Sequence, residues 1–166
     1  DALIEGEILG INMRNALIQK YNPRHAIERA RDKVASKVAL EKAGIACTGT
    51  IAVIATNQDL MGFDPRRDLP DCWAIKPARG SQGNGIVLSA RREGDVWFKH
   101  SGAPLTADDV SHHVSQIVDG QFAGDSLSED AALIEPLIVA DPALAGIVPD
   151  GLPDLRVISL FNTPLM

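Results

Sequence analysis

The residues with the clearest chemical potential lie between Lys76 and Gly85. Gly80, Gly83 and Gly85 fall within six residues, and glycine lets backbone N–H groups approach a ligand closely. Successive amides in such a turn form a cavity suited to phosphate oxygens, and Lys76 would add a positive charge at the end of a strand. The pattern therefore indicates a phosphate-binding loop. A solvent-exposed hairpin loop, with the ammonium of Lys76 in water, would explain the same residues.

Familiar phosphate-binding motifs do not fit this spacing. Gly80 and Gly85 have the separation found in a P-loop, but Ile86 and Val87 stand where Lys and Ser or Thr are needed. A Rossmann fingerprint requires a helix after its glycines, whereas residues 86–88 are typical of a strand. The kinase motifs HRD and DFG do not occur. A phosphate clamp formed by a β-hairpin is the remaining option.

Two other cations could serve an anionic ligand. Lys33 is predicted in the first turn of a helix, where the macrodipole disfavours a cation and a bound anion would reverse that effect. A solvated lysine paired with Asp32 or Glu41 is the alternative. Arg156 is the single cation of residues 101–166, against ten Asp and Glu. We therefore expect Arg156 to have an anionic partner, either a ligand or Asp154.

Other polar residues give weaker signals. Glu135 follows an apolar triplet and precedes Pro136, so its carboxylate could accept from a ligand at the end of a buried strand, or cap a neighbouring element. The adjacent His112 and His113 would face different sides of a helix, and solvated or core roles are predicted for all four histidines. There is no GxSxG nucleophile elbow, and the two cysteines lack metal-ligand spacing.

Composition excludes several classes of protein. The 166 residues are 45% apolar and 23% charged, which fits a globular chain rather than a disordered one. No stretch approaches the ~20 apolar residues of a membrane-spanning helix, and the first residues given lack a basic segment followed by the apolar core of a signal sequence. A net charge of −6 without a basic stripe argues against nucleic acid as a partner. We therefore expect a cytoplasmic protein with neither a nucleic-acid nor a membrane partner.

The elements that must position these residues are mixed. Helices are predicted within residues 3–19 and after Asp32, Asn57 and Thr106, and strands at 51–55, 73–76, 86–88, 96–98, 133–139 and 155–161. The helix after Asp32 should end at Gly44 and bury an apolar stripe that includes Val38. Residues 62–71 should form a surface loop, and residues 93–95 should turn strand 86–88 into strand 96–98. A hairpin without a regular βαβ order favours an α+β architecture.

Read together, these segments resemble the ATP-grasp superfamily, and more narrowly the alpha-L-glutamate ligase-like proteins, also described as sugar-transfer-associated ATP-grasp proteins. The resemblance rests on the order and spacing of motifs through nearly the whole chain. The matching segments are Leu9–Asn15, Tyr21–Pro23, Asp32–Lys33 with Lys37, Glu41–Ile45, Ile75–Ala78 with Gly80–Gly85, Leu133–Glu135 and Asp154–Val157.

The resemblance implies roles for particular residues. Lys33 and Lys76 would contact nucleotide phosphates. The glycine loop would fold over the phosphates as a lid formed by Gly80, Ser81, Gln82, Gly83, Asn84 and Gly85. The hinge that frames adenine would be formed by Glu135, Leu137 and Ile138, with Asp141 as a candidate for the ribose. Arg156 matches a catalytic arginine on the acyl-phosphate or substrate side.

The resemblance also implies a fold. This fold is α+β and ATP-grasp-like, with an N-terminal helical region (1–47), a lid-like α+β subdomain (48–138) and the start of a C-terminal subdomain (139–166). The chain stops soon after strand 155–161, where a half-made hairpin would leave an unpaired sheet edge. We therefore expect a chain truncated before the C-terminal metal-binding strands.

Family members of known activity join a carboxylate to an amine. ATP phosphorylates the carboxylate, and the amine attacks the acyl phosphate while Mg²⁺ bridges the phosphates. The resemblance thus implies the nucleotide-binding portion of such a ligase, with ATP and Mg²⁺ as cofactors and a small-molecule or peptide carboxylate and amine as substrates. No Glu-x-Asn metal pair occurs in the sequence, so the metal ligands are expected beyond Met166. The alternative is a non-catalytic module that binds nucleotide or a protein partner.

Overall fold

Helices and antiparallel strands are interspersed along the part of the chain that the computed structural model describes. This part comprises residues 10–123 and 129–144, together with residues 152, 157, 159–161 and 163–164. The chain divides into two compact units, residues 1–136 and residues 137–166. The first unit therefore contains both the N-terminal helices and the main sheet, while the division of the sequence into three regions remains a prediction.

The described residues form six α-helices and nine short strands. The helices are α1 (Ile11–Tyr21), α2 (Arg24–Arg31), α3 (Lys33–Lys42), α4 (Asn57–Gly62), α5 (Pro65–Asp68) and α6 (Ala107–Val118). The strands are β1 (Ala52–Ile54), β2 (Trp73–Pro77), β3 (Val87–Ser89), β4 (Arg91–Glu93), β5 (Val96–Phe98), β6 (Pro104–Leu105), β7 (Ala132–Pro136), β8 (Ser159–Leu160) and β9 (Thr163–Pro164). Within this part of the chain, no helix has the length and apolar character needed to span a bilayer.

The main sheet has the strand order β1-β7-β2-β3, and each neighbouring pair is antiparallel. Because side chains alternate along a strand, Trp73 and Ile75 of β2 point to one face and Ala74 and Lys76 to the other. Trp73 and Ile75 are fully buried in one apolar core with the inner side of α6. That side of the helix consists of Val110, Val114, Ile117 and Val118. The face of the sheet that carries Lys76 is thus the one away from this core.

A second sheet, β4-β5-β6, is joined to the same core through Trp97. The indole ring of Trp97 meets that of Trp73 edge to face, with the ring centroids 6.2 Å apart. Its Nε1–H donates to the carbonyl of Pro70 at 2.9 Å, so the buried indole nitrogen is satisfied. Gly94, at φ +60°, supplies the turn between β4 and β5. In the second unit, β8 and β9 form a short hairpin of their own.

The local signals for helix ends are confirmed. Asp32 caps α3, since its Oδ1 accepts a hydrogen bond from the amide of Ala35 at 2.9 Å. Gly44 follows α3 with φ +74°, a backbone conformation that favours glycine. Thr106 and Asp109 form a reciprocal capping box at the start of α6. The sequence therefore determines where these two helices begin.

Three local expectations were wrong. On α3 the buried side chain is Lys37, at 7% exposure, whereas Val38 of the expected apolar stripe is 44% exposed, because an ion pair of Lys37 described below orients the helix. The surface loop 62–71 contains α5, which Pro65 begins with its fixed φ at the first helical position. The hairpin turn at 93–95 is present, but strand β3 ends at Ser89 and pairs with β2, so the hairpin partner of β5 is the separate strand β4.

Candidate functional site

The glycine loop connects two antiparallel strands, as the sequence predicts. Residues 78–86 join β2 to β3, whose register pairs Trp73 with Ser89 and Ile75 with Val87. Gly83 and Gly85 have φ values of +75° and +74°, and Gln82 between Gly80 and Gly83 also adopts a positive φ. The exposed tip, Ser81–Asn84, is therefore a tight turn that uses its glycines for backbone geometry.

Consecutive backbone amides at this tip are unpaired. The N–H groups of Gly80, Ser81, Gln82 and Gly83 donate to no acceptor among the described residues, whereas the amide of Asn84 donates to the carbonyl of Ser81 at 3.0 Å. Backbone N–H groups are obligatory donors, so a ligand or water must accept from them. Several unpaired amides in one turn form a concave donor surface that suits anionic oxygens.

Lys33 holds the near end of the loop, which is the end that follows β2. Its ammonium donates to the carbonyls of Pro77, Ala78 and Gly80 at 2.9, 3.4 and 2.5 Å. Its backbone amide also donates to the carbonyl of Ala78 at 2.9 Å. Burial lowers the pKa of Lys33, as does the nearby Lys76, while the charges of Asp130 and Asp32 act in the opposite direction. Lys33 thus lies close enough to Lys76 for the two charges to repel each other. The ammonium hydrogens of Lys33, however, point at the loop carbonyls.

Asp130 holds the same end of the loop by accepting hydrogen bonds from backbone amides. This buried carboxylate accepts hydrogen bonds from the backbone amide of Arg79 at 3.1 and 3.2 Å, and from that of Ala131 at 2.8 Å. The amide of Ala78 donates to the carbonyl of Ala131 at 2.8 Å. The first residues of the loop are therefore fixed by both α3 and the two residues that precede β7.

His113 of α6 holds the far end of the loop, which is the end that precedes β3. Its Nε2 lies 2.9 Å from the carbonyl oxygen of Gly85, and because a carbonyl only accepts, Nε2 carries the hydrogen. Burial lowers the pKa of His113, so the neutral imidazole with Nε2–H is favoured. The ring of Phe122 lies beside that of His113, with centroids 5.3 Å apart. It packs so closely on Gly85 that a Cβ there would lie 2.5 Å from Phe122 Cγ.

Glu135 lies between two lysines on the face of the sheet opposite the core. Its Oε1 accepts from the ammonium of Lys37 at 2.5 Å and from the hydroxyl of Thr48 at 3.3 Å, and its Oε2 accepts from Lys76 at 2.8 Å. The side chains of Glu135 and Lys37 are 6% and 8% exposed, whereas that of Lys76 is 27% exposed. We call Lys37, Glu135 and Lys76 the charge triad. The triad joins α3, β2 and β7 in one buried ion cluster.

The ionisation of Glu135 follows from these contacts. Burial by itself raises the pKa of this carboxyl, but hydrogen bonds from Lys37 and Lys76 and the charges of both ammonium groups outweigh it. The net result is a pKa below the usual range of a glutamate. Glu135 is therefore ionised at neutral pH, and the triad carries two positive charges and one negative charge.

The face that carries the triad also offers apolar surface. Register pairs Ala74 with Leu88 and Lys76 with Leu133, and Leu133 with Val53. These side chains therefore share the face of Lys76. Val53 and Leu88 are each 37% exposed there. Because β1 and β3 are the two edge strands of the sheet, Val53 and Leu88 lie on opposite sides of Lys76.

Several residues that the resemblance assigns to the site belong to the second unit or lie outside the described residues. Leu137, Ile138 and Asp141 belong to the second unit, where Ile138 is 47% exposed and Asp141 Oδ1 accepts from the amide of Ala143 at 2.8 Å. Arg156 lies outside the described residues, so its catalytic role stays a prediction. The assignments of these residues to adenine, ribose and substrate likewise remain predictions.

Three other residues hold the site, and the sequence did not predict a contact with the loop or with Glu135 for any of them. Lys37 follows Lys33 by four residues, which places both on one side of α3, and this spacing is the signal that could have indicated it. Asp130 and His113 contact the loop from 51 and 28 residues away in sequence, and no local pattern marks them. In the described part of the chain, no three of His, Cys, Asp and Glu come together in a way that could hold a metal ion. These residues therefore do not fit a Mg²⁺ site.

A glycine loop on an antiparallel hairpin, with a lysine near the end of its first strand, is the arrangement that the resemblance to ATP-grasp proteins implies. Comparison with known families agrees, because the sequence model for the sugar-transfer associated ATP-grasp proteins matches residues 12–166. The chain belongs to this family. The narrower likeness to alpha-L-glutamate ligase-like proteins remains a prediction.

Two further comparisons add little. The chain is 36% identical over 61 residues to a 3-phosphoshikimate 1-carboxyvinyltransferase of Pelodictyon phaeoclathratiforme (strain DSM 5477 / BU-1). This match covers 37% of the chain and 13% of the length of that relative. A segment so short carries no activity over to the present chain. No solved structure matches the chain.

Two glycine substitutions test how the loop is held. Gly83→Ala should cost about 1 kcal/mol of unfolding free energy, because φ +75° is unfavourable for alanine although a Cβ there meets nothing within 4 Å. Gly85→Ala has the same backbone cost and adds the overlap with Phe122, so we expect it to cost about 2 kcal/mol more. Urea unfolding of both variants measures the difference. Equal losses would show that Phe122 does not pack on Gly85.

The pH dependence of stability tests the state of Glu135. Because its pKa is lower in the folded protein, its ionisation stabilises the fold above the ordinary glutamate pKa of about 4.3 and this contribution is lost as the pH falls through the folded value. Glu135→Gln should therefore cost about 3 kcal/mol at neutral pH. The difference from the wild type should shrink below about pH 4. Glu41→Gln, at an exposed position on α3, is the control and should show neither effect.

Proposed function

We propose that the chain is the nucleotide-binding part of an ATP-dependent carboxylate–amine ligase that forms an amide through an acyl phosphate. The observation that carries this proposal is the row of unpaired amides at Gly80–Gly83, in the loop that directly follows the strand of Lys76. Backbone donors and a cation at the end of a strand are what a triphosphate requires. Membership of the ATP-grasp family supports ATP as the ligand.

Lys76 is the group that we assign to direct phosphate contact. Its ammonium has one partner among the described residues, Glu135 Oε2, and it is the most exposed member of the charge triad. An ammonium has three N–H donors, so two remain for phosphate oxygens. In phosphoryl transfer such a cation stabilises the negative charge that develops on the transferred group.

We assign Lys33 a different task from the phosphate contact that the resemblance implies. Its ammonium is occupied by the carbonyls of Pro77, Ala78 and Gly80. In a trans peptide the N–H points away from the carbonyl of the same unit. By binding the carbonyl of Gly80, Lys33 therefore directs the amide of Ser81 to the other side, where an anion can accept from it.

The reaction would proceed in two transfers. A carboxylate oxygen of the first substrate attacks the γ-phosphorus of ATP, which forms the acyl phosphate and releases ADP. The amine then attacks the acyl carbon, and phosphate leaves with the bonding electrons as the amine loses a proton. ATP-grasp domains usually bind ATP with Mg²⁺, but we derive no step through the metal because the described residues do not fit it.

Titration with ATP and adenosine tests the nucleotide site. Lys76→Ala should weaken ATP binding roughly tenfold to a hundredfold, because one charge-assisted hydrogen bond to phosphate is lost. Adenosine has no phosphate, so its affinity should change little. Lys42→Ala removes an exposed lysine from the last turn of α3 and serves as the control. Calorimetry that gave the same ATP affinity for wild type and Lys76→Ala would remove Lys76 from the site.

Trapping with hydroxylamine tests the ligase chemistry. Hydroxylamine can replace the amine substrate and converts an acyl phosphate to a hydroxamate. With ATP and a panel of the common amino acids as carboxylate donors, we expect the full-length protein to form ADP and hydroxamate in equal amounts with at least one of them. ADP release without hydroxamate would contradict amide formation, while ATP binding could still hold.

A further inference from the structure

The charge triad contains a cation that a ligand cannot touch. Lys37 is 8% exposed, and its ammonium donates to Glu135 Oε1 at 2.5 Å and to the carbonyl of Gly49 at 3.0 Å. Lys76, on the other oxygen of the same carboxylate, is the member with access to solvent. A buried charge is costly to maintain, so the presence of Lys37 needs a physical explanation.

The charge balance of the triad explains why Lys37 is present. If Glu135 were paired with Lys76 alone, the two would form a neutral pair, and an approaching phosphate would meet little net field. Lys37 neutralises Glu135 from the inner side, so the charge of Lys76 is left uncancelled. In a partly buried cluster such a unit of charge acts over several ångström, because screening by water is weak.

The other charged groups at the near end of the loop do not supply this surplus. Lys33 interacts electrostatically with Asp130 and Asp32, and Arg79 Nε lies 3.8 Å from Asp32 Oδ2. These are two cations and two anions, so as a group they are neutral. At the far end, the imidazole of His113 is held in its neutral form. Among the described groups at the loop, the net positive charge therefore comes from the triad.

We propose that Lys37 is a positioning residue that gives the nucleotide site its net positive charge without contacting the nucleotide. This inference rests on the proposed function, since it explains how Lys76 retains its attraction for phosphate while bound to a carboxylate. It assigns to Lys37 an electrostatic role that acts through Glu135. A purely structural role, in which Lys37 only packs α3 against the sheet, makes different predictions.

A pair of variants separates the two roles. Lys37→Met keeps an unbranched side chain that is one atom shorter, and it makes the triad neutral. We therefore expect ATP affinity to fall roughly tenfold, the effect of one unit charge several ångström away. The double variant Lys37→Met/Glu135→Gln restores one net positive charge, carried by Lys76. It should return ATP affinity to within about threefold of the wild type. Adenosine affinity should stay the same in all three proteins.

The measurement is calorimetric titration of ATP and adenosine into the full-length protein. Lys42→Met removes the same charge from an exposed position of the same helix and should leave both affinities within about twofold of the wild type. Thermal unfolding of each variant checks that it is folded. Lys37→Gln replaces Lys37→Met if the latter does not fold.

The outcomes distinguish this inference from the proposed function. Loss of ATP affinity in Lys37→Met that the double variant recovers would support it. Unchanged ATP affinity in Lys37→Met, or equal loss in the single and double variants, would overturn it and leave the nucleotide site in place. If the wild-type protein bound adenosine but not ATP, or bound neither, the proposed function would fail and this inference with it.

Discussion

The site depends on one buried carboxylate that two ammonium groups share. A single ionised Glu135 at 6% exposure would be unstable, and its pairing with Lys37 and Lys76 makes the burial tolerable. The requirement that all three groups meet determines how α3 lies on the main sheet, because Lys37 reaches Glu135 from the helix. It also fixes the direction of Lys76 at the end of β2. Helix placement and lysine orientation are thus consequences of the same charge requirement.

The glycine loop follows β2, the strand that carries Lys76 of the triad, and different contacts hold its two ends. At its start, Lys33 and Asp130 bind backbone carbonyls and amides respectively, so the chain leaves β2 along one path. At its end, a histidine and an aromatic ring from outside the sheet contact Gly85. Flexible glycines therefore give this loop a defined shape, because the rest of the first unit limits the conformations that glycine would otherwise allow.

The features that could be predicted from the sequence are those with local causes. The three glycines between two apolar runs indicated a loop on a hairpin, and Asp32 and Gly44 marked the ends of α3, since capping and positive φ act within a few residues. The face of α3 could not be predicted in the same way. An apolar stripe usually turns a helix towards the core, but here an ion pair spanning 98 positions buries Lys37 and leaves Val38 exposed. The contacts of Asp130 and His113 with the loop depend in the same way on tertiary structure.

Fixed ends also limit how far the loop can travel. Gly80 is bound to Lys33 and Gly85 to His113, so only Ser81–Asn84 can change path without breaking these contacts. An extended chain spans at most ~3.5 Å per residue, so a loop fixed at Gly80 and Gly85 can extend about 8 Å from its fixed ends. Ordering four residues costs on the order of 4–8 kcal/mol of backbone entropy, far less than ordering a whole subdomain. Closure over a bound ligand would then involve only the four residues of the loop tip. A tip of this length could cover the nearest anionic end of the ligand and little more.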